Sequence, residues 1–126
     1  MAIGSTNQYI KMTDIINPIE FCKKEYPEMM KEFEAIQAED FAIFCRKQMD
    51  YGPNNISMGT NLKTDEDKRL STTGIIIRMN DKMQRLLNLV VKTGRSPQNE
   101  SVEDAFLDLG VYSIISRIVN KGKWAK

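Results

Sequence analysis

The stretch GIIIRMNDKMQRLLNLVVK, residues 74–92, repeats its apolar side chains at helical rather than strand spacing. Met79, Met83, Leu86 and Val90 mark a core side, and Asn80, Gln84 and Asn88 fall opposite them. Ser71, Thr72 and Thr73 stand before it as candidate N-caps, and Gly94 closes it. A long helix is therefore expected here. Upstream, Met30, Phe33, Ile36, Phe41 and Phe44 predict a first long helix over residues 28–50, stopped by Gly52 and Pro53. Downstream, a capping box from Ser101 to Asp104 opens a third helix running from Val102 to about Val119, ended before Gly122. Residues 53–73 are rich in Asn, Gly, Thr and charge and form a long connection, with Thr64 placed to cap a short helical piece at TDED. No segment alternates like a strand. The expected fold is all-α, an antiparallel helical bundle of three long helices plus short helical pieces. Residues 1–27, broken by Pro18 and Pro27, read as an arm or cap; 28–122 as the helical domain; 123–126 as a short tail.

Composition narrows the chemistry. The 126 residues are 41% hydrophobic and 28% charged, which suits one domain with a real core. Lysine and arginine number 18 against 17 aspartate and glutamate, so global charge argues against direct nucleic-acid or anionic-membrane binding. Any phosphate recognition must be local. Histidine is absent, which removes the commonest general base and every Ser/His or Cys/His nucleophile. Cys22 and Cys45 form no CxxC and read as reduced structural thiols. No apolar run approaches a membrane span, and MAIGSTNQYIKM lacks the character of a signal peptide, so a cytoplasmic location is expected.

On the third helix, Asp104, Asp108, Val111 and Ile115 share one stripe. A carboxylate among buried-type residues needs a cation, a basic partner or a wet cleft. The capping box already accounts for Asp104, whereas Asp108 has no such explanation. On the second helix, Arg78, Asp81, Lys82 and Arg85 form a ridge bordering the core side, where their side chains reach a cleft and can meet phosphate or carboxylate. The alternative is an internal salt-bridge network with Asp81 or with the third-helix acids. Asp40 interrupts the apolar face of the first helix, with Lys47 two turns later on nearly the same line. It is either an internal pair or a third carboxylate for a divalent cation such as magnesium, which needs oxygen ligands and no histidine. DYGPNN, residues 50–55, presents Tyr51, Asn54 and Asn55 from a constrained turn. Tyr51 and Asn54 are the candidates for stacking on and reading a base, or they simply close the helix.

The segments KQMDYGPNN, GIIIRMNDKMQRLLNL and NESVEDAFLDLGVYSI, in this order, resemble the nucleotide-modification-associated domain found mainly in phages and bacteria. The likeness covers about residues 40–120, through Arg78, Asp81, Lys82 and Arg85 followed by Asn99, Glu100, Asp104 and Asp108. That family is similar, more distantly, to the all-helical MazG-like and dimeric dUTPase-type nucleotide pyrophosphohydrolases, which hold magnesium between acidic helices. The resemblance implies an all-helical fold, a homo-oligomer (dimer or tetramer), a nucleotide or modified nucleotide as ligand, and the host cytoplasm if the chain is phage-encoded. The chain departs from the MazG pattern. Its acids Asp104 and Asp108 stand at i, i+4, and in place of a clean ExxE the first helix has Glu39 and Asp40. Two expectations follow. One is a magnesium-dependent pyrophosphohydrolase in which Asp104, Asp108 and Asp40 hold the metal, Asp104 and Asp108 serve catalysis, and Lys82, Arg85 and Arg78 neutralise phosphates. The other is a non-catalytic nucleotide-binding or sequestering module on the same scaffold.

Overall fold

The computed structural model describes residues 15–126, and every regular element among them is helical. In chain order these are α1 (Pro18–Glu25), α2 (Pro27–Tyr51), α3 (Asn54–Ser57), α4 (Asp65–Leu86), a π-helical segment (Leu87–Thr93) and α5 (Val102–Asn120). The all-α class expected from the periodicity is the class adopted. Most of the expected N-terminal arm, residues 1–14, lies outside the described residues. The chain divides into two compact units, the first ending at Glu39 and the second spanning Asp40–Lys126.

In the first unit, Asn17 caps α1 by accepting from the backbone N–H groups of Ile19 and Glu20 at 3.0 and 3.2 Å. Pro18 fits the first helical position, where no N–H is needed. Lys23 and Glu34 pair at 3.2 Å with both side chains more than half exposed, a contact worth little in stability. Neither α1 nor α2 has a fully buried residue.

The second unit holds the core. Ile56, Leu62, Ile75, Ile115, Val119 and Trp124 are buried together, with Phe44, Met79, Val111, Tyr112 and Ile118 packed against them. Helix α4 lies chiefly against α5. The C-terminal residues expected to be a tail contribute to this core: the Trp124 indole N–H donates to the Pro53 carbonyl at 3.1 Å, and its ring meets Phe44 edge-on at 6.2 Å. Gly52, at φ 68°, turns the chain out of α2 as expected of a left-handed C-terminal residue.

Helix α4 differs from the sequence expectation in length. The short piece at TDED and the helix from residue 74 are one element, capped by Thr64, whose hydroxyl accepts from the Asp67 N–H at 3.0 Å. Asp65, Glu66 and Asp67 then complement the helix dipole, and no proline interrupts the chain before Leu86. The candidate caps are consumed inside the helix. Ser71 donates to the Ile56 carbonyl at 2.6 Å and Thr73 to the Arg69 carbonyl at 2.7 Å. The core line runs through Ser71, Ile75, Met79 and Leu86, leaving Met83 and Val90 about half exposed. Past Leu86 the hydrogen bonding changes to the π pattern, so a stripe extrapolated at α-helical spacing loses its face before Val90. Cys22 and Cys45 are unpaired thiols, Cys22 half-buried and Cys45 exposed. Among the described residues no helix is long and apolar enough to cross a membrane.

Candidate functional site

Asp108 projects from the middle of α5, where the sequence leaves a carboxylate among apolar neighbours, and its side chain is only 14% exposed. The structure supplies it with two cations. Its Oδ1 accepts from Lys47 Nζ of α2 at 3.2 Å, and its Oδ2 lies 2.9 Å from Lys82 Nζ of α4. Each oxygen therefore serves a different helix, and the carboxylate ties three elements of the second unit together. Lys82 makes a second, longer contact to Glu100 at 3.3 Å, but Glu100 is largely exposed and contributes less. The hydrogen bond to Asp108 holds the Lys82 ammonium above the ordinary lysine range, against partial burial that works the other way.

This ion-paired cluster lines a cleft of about 360 Å³. Phe44, Ile56, Val111 and Tyr112 form apolar and aromatic walls, and Tyr51, Asn55 and Arg78 complete it. Arg78 donates through Nη2 to the Asn55 carbonyl at 2.9 Å, so its guanidinium braces the short α3 segment at the cleft wall. The Asn55 side-chain oxygen is buried there without a hydrogen-bond partner, an arrangement that costs stability unless something donates to it.

The remaining residues singled out in the sequence fall in separate places. Arg85 is outside the cleft lining: its Nη1 donates to the Ser101 carbonyl at 3.2 Å and its Nη2 to the Glu100 carbonyl, anchoring the approach to α5. Asp104 completes the capping box, its carboxylate accepting from the Ser101 N–H at 3.2 Å while its own N–H donates to the Ser101 hydroxyl at 3.1 Å. Asp104 also borders a neighbouring recess with Glu100, Asp108 and Lys47. Asn54 accepts from the Ser57 hydroxyl at 3.3 Å within α3, and it is Asn55 that reaches the cleft. Asp40, half-buried in α2, does not line the cleft. Lys47, foreseen only as a neighbour of Asp40, is a direct partner of Asp108. Its signal was its position three residues after the core-packed Phe44, which turns it to the same side of α2.

Magnesium takes oxygen ligands in close octahedral array. The Asp104 carboxylate is engaged in the cap and that of Asp108 in two ion pairs, and among the described residues no three acidic or cysteine side chains form a group that could hold a metal ion. As these side chains stand, the donor set does not fit the ion.

Fold and site together define an all-helical protein with an ion-paired, part-aromatic cleft. No known family, curated protein or solved structure matches the chain.

Proposed function

We propose that the chain is a nucleotide-binding module whose cleft receives a nucleoside phosphate without hydrolysing it. The observation that carries this reading is the convergence of Lys47 and Lys82 on one carboxylate beside aromatic and apolar walls. Ammonium groups suit phosphoryl oxygens by charge-assisted hydrogen bonding, and Tyr51, Phe44 and Tyr112 offer aromatic surface to a base. Lys82 and Arg78 keep their phosphate-binding roles, joined by Lys47, while Arg85 supports them from the α5 approach. The short connection between residues 94 and 101 supports an antiparallel packing of α4 and α5, and the same proposal includes a homo-oligomer working in the cytoplasm.

Thermal unfolding with a panel of nucleoside mono-, di- and triphosphates tests this, because a ligand bound by the folded state alone raises its stability. At least one nucleotide should raise the melting temperature, and Lys82→Ala should abolish the shift. An equal shift in Lys82→Ala removes the cleft as the site.

The hydrolase alternative starts from Glu100, Asp104 and Asp108 bordering one recess, without forming a metal-holding group there as they stand. It requires Asp104 and Asp108 to exchange their present partners for magnesium. Release of pyrophosphate from any nucleoside triphosphate in the presence of magnesium, lost in Asp108→Asn, would establish it over the binding module.

A further inference from the structure

We infer that Asp108 is the resident counter-ion of a phosphoryl subsite, and that the phosphate dianion of an incoming ligand displaces its carboxylate from Lys47 and Lys82. The inference rests on the binding reading of the same cleft and names what the cleft prefers: a metal-free phosphate monoester. Charge makes the case. Lys47, Lys82 and Arg78 bring three positive charges to the cleft, and Asp108 and Glu100 bring two negative ones, the second on a largely exposed side chain. One carboxylate thus bridges two ammonium groups with a single charge. A phosphate monoester carries about −1.5 to −2 near neutral pH and three acceptor oxygens, so it outmatches the carboxylate for the same two donors. A singly charged anion has no such advantage.

The two lysines are suited to changing partners. Lys47 is 54% exposed and Lys82 22%, so their flexible stems can carry the ammonium groups outward while Asp108, 14% exposed, stays in the wall. The displaced carboxylate would then face the bound phosphate, a repulsion that lowers the affinity of the wild-type protein and can be removed by mutation. Asp108 in this role sets charge selectivity and neither holds metal nor attacks substrate.

Isothermal titration of the full chain with inorganic phosphate, with a nucleoside monophosphate and with magnesium chloride alone provides the test. Asp108→Asn should bind inorganic phosphate roughly five- to tenfold more tightly than wild type, since the competing charge is gone. Lys82→Met should bind it at least about tenfold more weakly. Unchanged or weaker phosphate binding by folded Asp108→Asn overturns the inference, as does magnesium binding to wild type that this variant loses. If Asp108→Asn does not fold, the side-chain carboxyl ¹³C resonance of Asp108 in wild type decides: it should move as phosphate is titrated, and a stationary resonance at saturation overturns the exchange. The nucleotide reading fails separately, when Asp108→Asn gains phosphate affinity but the monophosphate binds no better than inorganic phosphate.

Discussion

Ser71 and Lys82 lie on the inward side of one helix and are polar for different reasons. Ser71 is 1% exposed and gives its hydroxyl to the carbonyl of Ile56, itself buried in the core. Ser71→Ala leaves that carbonyl without its partner and should cost about 1–3 kcal/mol, read as a lower urea midpoint at unchanged slope. The Lys82 ammonium is held above its ordinary range by Asp108, so the folded state keeps the proton longer than the unfolded chain. Its contribution is fully present below the unfolded lysine pKa and is lost as pH rises through the higher folded value. Urea midpoints measured from neutral to strongly alkaline pH should therefore fall more steeply in wild type than in Lys82→Met. Asp108 was legible from sequence as a carboxylate that needed a partner, because its neighbours on α5 are apolar. Which partner was not legible: Lys47 lies sixty-one residues away, and only the packing of three helices brings the two together.

Helix boundaries were legible wherever a side chain and a backbone group settle them locally. The Ser101–Asp104 box and the Gly52–Pro53 stop are of this kind, both formed by residues within a few positions of one another. Spacing places the start of α4 too late because Ser71, Thr72 and Thr73 carry the chemistry of caps, and it does not reveal that Ser71 and Thr73 donate to the Ile56 and Arg69 carbonyls while Thr72 accepts from the Asn120 amide. The box makes a prediction at this scale. Ser101→Ala should destabilise the protein by about 1 kcal/mol, and Asp104→Ala by a comparable amount, in chemical denaturation. Because Asp104 is engaged at the helix end, Asp104→Asn should leave phosphate affinity within about twofold of wild type; a tenfold loss in titration calorimetry would return it to the ligand site.

The two units differ in how much apolar surface they bury. In the first, Phe21, Met29, Phe33 and Ile36 are all exposed; in the second, Ile77, Val91, Phe106 and Ile114 remain outside a well-formed core. The oligomer proposed above would cover some of these exposed apolar side chains. Sedimentation equilibrium should give the mass of a dimer or tetramer, and a monomer across the whole concentration range would remove that part of the proposal. The sole tryptophan of the chain lies in the second unit, shielded from water, with Phe44 beside it and Phe44 in turn forming one wall of the cleft. Trp124 is thereby a built-in optical probe. Its emission should be blue-shifted in the native protein, move to the red on unfolding, and change in intensity whenever a ligand resets Phe44, so occupancy of the cleft can be followed by fluorescence without attaching a label.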